Sequence, residues 1–177
     1  MTTTAVIYHS GYGHTQRVAQ FVADGAQAQL IAIDADGNIS EAEWAVLDAA
    51  DAIVFGAPTY MGMVSWQFKK FADASSKRWF STAWKDKVAG GFTISANLSG
   101  DKLSTLQYFM TLSMQHGMVW VGMPGMGDGT LNRLGSNSGL MAQVGSTSPA
   151  ADIPQGDLDT AKAYGERLLH MAQRLSA

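Results

Sequence analysis

The sequence contains no cysteine among its 177 residues. This absence excludes disulfide bonds, thiolate metal sites and cysteine nucleophiles, although it does not by itself identify the cellular compartment. Charge is also scarce, since 12 basic and 15 acidic residues give a net charge of -3. Without a basic patch, the composition indicates neither nucleic acid nor an anionic membrane surface as a partner.

Long apolar segments and export signals are lacking as well. No run approaches the roughly 20 apolar residues that are needed to cross a bilayer. Residues 1–4 carry neither the basic region nor the small-residue cleavage site of a secretory signal, so a cytoplasmic protein is the simplest expectation. Because 46% of the residues are hydrophobic, the chain can bury one substantial core, and we expect a single domain over residues 1–177.

Short apolar segments rich in branched residues alternate with segments in which apolar residues recur at helical spacing. The predicted strands cover residues 5–9, 29–33, 52–56, 88–95 and 118–122. The predicted helices cover residues 15–27, 41–47, 64–76, 103–115 and 158–175. This alternation predicts an α/β fold, namely a doubly wound, five-stranded parallel sheet with helices on both faces.

One segment has no sustained periodicity. Residues 122–156 are rich in Gly, Ser, Asn and Pro, and loops of that length in compact domains tend to be functional or disordered. We expect surface loops here that approach a ligand or a neighbouring subunit. Among the tryptophans, the pattern predicts Trp66 and Trp120 in the core, and Trp44 and Trp84 on the surface or in an interface.

A glycine-containing turn separates the first predicted strand from the first predicted helix. It reads Ser10-Gly11-Tyr12-Gly13-His14-Thr15. An anion there would meet free backbone amides and the positive end of the helix dipole, and Ser10 and Thr15 would add hydroxyl donors. The turn matches neither a nucleoside-triphosphate loop nor the three-glycine dinucleotide fingerprint, so the phosphate of flavin mononucleotide (FMN) fits it better. An ordinary glycine turn with a Ser or Thr helix cap is the alternative.

Further blocks follow in order along the chain. They are Gly56-Ala57-Pro58-Thr59-Tyr60-Met61-Gly62, then Ser65, Gln67, Phe71, Asp73 and Trp79, and then Gln115-His116-Gly117-Met118. Together with the first turn, they resemble the tryptophan-repressor-binding-protein family of NAD(P)H:quinone oxidoreductases, within the wider flavodoxin-like group. The resemblance runs from Ala5 to about Gly127 and again over the terminal helix. Several blocks in the right order are more specific than any single turn.

The resemblance implies that three loops surround FMN. The phosphate would be held by Ser10, Gly11, Tyr12, Gly13, His14 and Thr15. The isoalloxazine ring would be bordered by Pro58, Thr59, Tyr60 and Met61. The ring and ribityl chain would be enclosed by Ser95, Ala96, Asn97, Leu98, Ser99 and Gly100.

The third of these loops departs from the Ser/Thr/Gly-rich run that is usual in the family. Asn97 can still donate and accept hydrogen bonds at the pyrimidine edge of a flavin, and the Ser99-Gly100 pair can present amides. Asn97, Ser99 and Asp101 can also cap the following helix, and both roles are compatible.

The resemblance also places Tyr12, Trp79 and His116 around the substrate pocket and implies no obligatory catalytic acid or base. An aromatic wall would hold a planar substrate at stacking distance, and an imidazole could stabilise charge on a quinone being reduced. From the residues alone, His116 before Gly117 is instead a residue at a helix C-terminus, where the dipole favours it.

The implied function is hydride transfer from NAD(P)H through FMN to a quinone or similar acceptor, with the cofactor carrying the chemistry. No metal is expected, and a homodimer or homotetramer would complete the pockets with neighbouring chains. A flavodoxin-type electron carrier without NAD(P)H turnover is one alternative, and the modest net charge and Leu98 in place of a tyrosine argue against it. A flavin-free binding or scaffold protein is the other, because the fold alone does not fix function.

Overall fold

The computed structural model describes residues 1–125 and 129–176; the end of the family resemblance near Gly127 and the last residue of the predicted domain, Ala177, lie outside them. The strands are β1 (Thr4–Tyr8), β2 (Gln29–Ala32), β3 (Ala52–Tyr60), β4 (Met63–Val64), β5 (Val88–Ser95), β6 (Val119–Trp120) and β7 (Leu140–Gln143). The α-helices are α1 (His14–Ala26), α2 (Glu41–Ala49), α3 (Trp66–Ala74), α4 (Ser76–Phe80), α5 (Lys102–Gln115) and α6 (Gln155–Leu175), and a 3-10 turn covers Ala150–Asp152.

Five strand positions form the parallel sheet. Their order is β2-β1-β3-β5, followed by a last position that β6 and β7 share. β6 pairs with the beginning of β5 and β7 with its end, both in parallel, while β4 pairs antiparallel with the end of β3. The predicted doubly wound parallel sheet is therefore confirmed, and its fifth strand is split into two short pieces.

Each face of the sheet carries a hydrophobic core. Because alternate side chains of a strand point to opposite faces, Val6 packs with α1 and α6, whereas Ile7 packs with α2, α3 and α5. Burial on both faces explains why the predicted strands are continuously apolar. α1 and α6 pack so closely that a Cβ on Gly165 would lie 2.1 Å from the carbonyl oxygen of Val22, so glycine is required there. The predicted helices on both faces are confirmed.

The prediction of surface loops throughout residues 122–156 is wrong at two places. Leu140–Gln143 form β7, in which Leu140 and Ala142 are buried, and α6 begins at Gln155. Four residues are too few for a clear periodic signal, and their strand conformation depends on pairing with β5, which is distant in sequence. Among the described helices, none is long and apolar enough to span a bilayer.

Three of the four tryptophan predictions are wrong. Trp84 and Trp44 are buried, at 0% and 7% exposed, whereas Trp66 at the start of α3 is 60% exposed. The Trp84 indole N–H donates to Asp48 over 2.9 Å, so this side chain fills the core and satisfies its polar group at once. Trp120 is half-buried against the core, as expected.

Candidate functional site

A cleft opens at the edge of the sheet where β1, β3 and β5 end. Ligands of open parallel sheets bind at this edge because the connecting loops converge there. The cleft has an empty volume of about 600 Å³ including its open mouth, which suits a small molecule. Its lining residues are Tyr12, His14, Thr15, Pro58, Thr59, Tyr60, Ile94, Ser95, Ala96, Val144 and Ser146. The structure thus brings all three predicted loops to one place.

The turn between β1 and α1 is shaped by Ser10 and Gly13. Gly13 has a φ of 85°, a left-handed conformation that glycine adopts without strain. The Ser10 hydroxyl oxygen accepts hydrogen bonds from the amides of Gly13, at 3.1 Å, and Gln16, at 3.2 Å. Both of its lone pairs are used, so its O–H remains available to donate to a ligand.

Five other amides of this turn have no acceptor within the described part of the chain. They belong to Ser10, Gly11, Tyr12, His14 and Thr15. The turn leads into the N-terminus of α1, where unpaired amides and the helix dipole attract an anion, and the first turn of α1 holds no acidic residue. The Ser10 side chain therefore holds the turn open and does not fill it, and a phosphate group fits the donors that remain.

The second loop is anchored by a hydroxyl network. Thr59 Oγ1 lies 2.8 Å from Thr93 Oγ1 of β5 and 2.8 Å from Thr105 Oγ1 of α5. Both partners are buried, so the network fixes the wall of the cleft where β3 and β5 run side by side. Pro58 pairs in the same sheet with Ile94, and both line the cleft. The wall that would face a ring is therefore rigid.

Tyr12 and Tyr60 form an aromatic pair at the mouth of the cleft. Their rings meet edge to face, with centroids 6.3 Å apart. A Cβ on Gly11 would lie 2.6 Å from the Tyr60 hydroxyl oxygen, so the turn approaches this ring closely. Burial, with Tyr12 nearby, raises the pKa of Tyr60, which keeps its hydroxyl protonated. Met61 is fully exposed and does not line the cleft, so its contact with the ring stays a prediction.

The third loop begins in the cleft and continues along its rim. Ser95 and Ala96 line the cleft, whereas the three residues after them are exposed. A Cβ on Gly100 would lie 2.2 Å from Ser95 Oγ, so the loop folds back tightly on its own start. The N-cap of α5, Asp101, makes no side-chain capping bond, so the capping alternative does not explain the loop.

The sequence did not single out the residues of two parts of the site. Val144 and Ser146, which follow β7, line the cleft, and the Ser148 carbonyl accepts a 2.7 Å hydrogen bond from His14 Nε2. The expectation that residues 122–156 approach a ligand thus fits residues 144–146. The buried Lys102 under the third loop was also missed. The sequence carried no clear periodic signal for the first part, because β7 is only four residues long.

Trp79 and His116 lie near each other but not at this cleft. His116 precedes β6, at the edge of the sheet where strands begin. Its Nε2–H donates to Ser75 Oγ over 2.9 Å, because the Ser75 hydroxyl donates to a helix carbonyl, and its ring packs on Trp84 with centroids 4.4 Å apart. Burial lowers the pKa of His116. Any contact of either residue with a flavin would require a neighbouring chain and stays a prediction.

Comparison with known proteins identifies the family of this chain. A family model described as "Flavodoxin domain" matches residues 5–121. The chain is also 50% identical, over the whole of both chains, to Flavodoxin FldP from Pseudomonas aeruginosa. The chain belongs to the flavodoxin family. The family resemblance drawn from the sequence is confirmed.

Two other proteins similar to this chain carry different functional names. A protein named NAD(P)H dehydrogenase (quinone) from Azorhizobium caulinodans is 31% identical over 99% of both chains. The crystal structure of a flavodoxin, WrbA-like protein from Agrobacterium tumefaciens is 55% identical, with a TM-score of 0.84, over 98% of this chain and 99% of that one. Membership of the flavodoxin family implies FMN binding, and the donors at the start of α1 fit the phosphate of FMN.

Proposed function

We propose that this flavodoxin-family protein binds FMN in the cleft and transfers a hydride from NAD(P)H to a quinone or similar planar acceptor. One observation carries the proposal. The cleft joins unpaired amides at the start of α1 to an open rim of aromatic and apolar side chains, and none of its described lining residues is Asp or Glu. A rim without carboxylates does not repel an anionic nicotinamide nucleotide or the charge of a quinone being reduced.

The residues of the chain bind and orient the reactants. Ser10 and the unpaired amides hold the phosphate, and Thr59 fixes the wall beside the ring. Tyr12 is 76% exposed and Leu98 65% exposed, so both present flat or apolar surface against which a planar substrate can rest. Bound FMN supplies the hydride acceptor and donor. No side chain in the cleft is required as a catalytic acid or base.

The backbone of the third loop supplies charge stabilisation. The amides of residues 96–100 have no acceptor within the described part of the chain. Amides of this kind would donate to the pyrimidine edge of the ring, where negative charge accumulates on reduction. This arrangement favours the reduced state of the cofactor without any titrating side chain.

A flavodoxin-type electron carrier is the second candidate, because the chain is 50% identical to a relative named Flavodoxin FldP. A carrier docks a protein partner, and a docking face of that kind is strongly charged. The net charge of -3 and the uncharged lining of the cleft favour a small-molecule acceptor instead.

Steady-state oxidation of NADH and NADPH with benzoquinone separates the two candidates. The FMN-loaded protein is expected to oxidise at least one of the nucleotides continuously, at a rate well above that of the same concentration of free FMN. A loaded protein that oxidises neither nucleotide faster than free FMN would contradict the enzymatic proposal and favour the carrier. A purified protein that binds no FMN would contradict both.

A further inference from the structure

Lys102 occupies a position that two physical rules disfavour. It is fully buried, at 0% exposed, and lysine is almost never buried completely. It also lies in the first turn of α5, where the helix dipole disfavours a positive charge. Neither packing nor helix formation calls for lysine at this position, so another interaction must account for it.

Among the described residues, the ammonium group of Lys102 bonds only to the loop that precedes its helix. Its Nζ donates to Ser95 Oγ over 2.8 Å and to the carbonyl oxygens of Asn97 and Leu98, each over 2.9 Å. These bonds use all three donors of the ammonium group. The Ser95 hydroxyl donates in turn to the Asn97 carbonyl over 2.9 Å. The shape of the loop and the burial of the charge therefore depend on each other.

The direction of these bonds decides which groups the loop presents. In a trans peptide the C=O and N–H groups point in opposite directions. Because the carbonyls of Asn97 and Leu98 point inwards to the ammonium, the amides of Leu98 and Ser99 point away from it. Neither amide has an acceptor within the described part of the chain.

We propose that Lys102 is a positioning residue for the flavin ring, because it holds residues 95–98 in the shape that leaves the amides of Leu98 and Ser99 free to bind a ligand. The inference rests on the proposed binding of FMN in this cleft. A positive charge behind the loop also favours negative charge on the bound ring.

Protonation of Lys102 gives the inference a measurable signature. Burial lowers the pKa of Lys102 to about 8. The negative charge of Asp157 in α6 opposes this shift, and the positive charge of Arg133 adds to it. Above about pH 8 the neutral amine has one donor fewer, so FMN affinity is expected to fall as pH rises through that value. The folded pKa lies below the unfolded value of about 10.4, so between these two values the unfolded state binds more protons. The contribution of Lys102 to the free energy of unfolding therefore rises as pH increases through this range. Binding and stability therefore change in opposite directions.

The test compares Lys102→Met with Lys162→Met, which removes the same charge from an exposed position on α6. FMN affinity is measured by fluorescence quenching at about pH 7 and about pH 9, and the unfolding of each apoprotein by urea. At the lower pH, Lys102→Met is expected to bind FMN at least about tenfold more weakly than wild type, without a lower free energy of unfolding. Lys162→Met is expected to match wild type, and only proteins that retain Lys102 are expected to lose affinity at the higher pH.

The outcomes separate the two proposals. If wild type binds no FMN at either pH, the proposed function fails and the role of Lys102 fails with it. If wild type binds FMN and Lys102→Met binds it equally well, only the role of Lys102 is overturned. Should Lys102→Met not fold, the wild-type protein decides, since an affinity that does not change across the pKa of Lys102 overturns the inference.

Discussion

Replacing Ser10 with glutamate is expected to weaken FMN binding by at least about 100-fold. The substitution places a carboxylate in the turn whose unpaired amides would hold the phosphate. Two like charges about 4 Å apart repel by about 4 kcal/mol at an effective dielectric constant of 20, and each 1.4 kcal/mol is a factor of ten in affinity. Titration of the apoprotein with FMN, followed by flavin fluorescence, measures the effect.

Two controls show whether the loss comes from charge at the turn. Gln173→Glu adds the same charge at the exposed C-terminal end of α6, at the opposite edge of the sheet, and is expected to bind FMN as wild type does. Riboflavin, which lacks the phosphate, is expected to lose much less affinity than FMN in Ser10→Glu. Unchanged FMN affinity in Ser10→Glu would show that the phosphate lies elsewhere.

Replacing Trp84 with alanine is expected to lower the free energy of unfolding by about 3 to 5 kcal/mol. The indole is fully buried, stacks near Trp44 with centroids 6.3 Å apart, and donates a hydrogen bond to Asp48. Its removal leaves a cavity and takes one hydrogen-bond donor from Asp48, which keeps its ion pair with Arg78. Urea unfolding of the apoprotein gives the change directly.

Trp66→Ala is the matched control for this prediction. The same substitution at a residue that is 60% exposed is expected to cost less than about 1 kcal/mol. The sequence pattern alone predicts the reverse order, with Trp66 in the core and Trp84 on the surface. If Trp66→Ala proved the more destabilising variant, the placement of both indoles would be contradicted.

These tryptophans show where local pattern stops being informative. The strands β1, β3 and β5 are predictable because burial on both faces makes them continuously apolar. Trp84 lies in a short, mostly polar connection, and its packing against Trp44, Phe55 and His116 makes it a core residue. The fifth strand position was anticipated in part, since the predicted strand at residues 118–122 contains β6. The contribution of β7 was missed, because its four residues form a strand only by pairing with β5.

The candidate site was predictable where it depends on the order of elements along the chain. Loops that follow parallel strands meet at one edge of the sheet, so the turn at residues 10–15 and the loops after β3 and β5 were expected together. Lys102 was not predictable, because its role depends on the fold of the preceding loop. Val144 and Ser146 were missed because they follow a strand that only tertiary pairing defines. His116 is the opposite case: the family resemblance placed it at the pocket, but packing within its own chain buries it away from the cleft.

The proposed binding of FMN depends on a turn that seats the phosphate, with the ring lying across the neighbouring loops. Parallel titrations of the apoprotein with FMN and riboflavin test it most directly. We expect one FMN per chain and an affinity for riboflavin at least about 100-fold weaker, because only FMN reaches the unpaired amides at the start of α1. Equal affinity for the two flavins, or no binding of FMN at micromolar protein, would contradict the account.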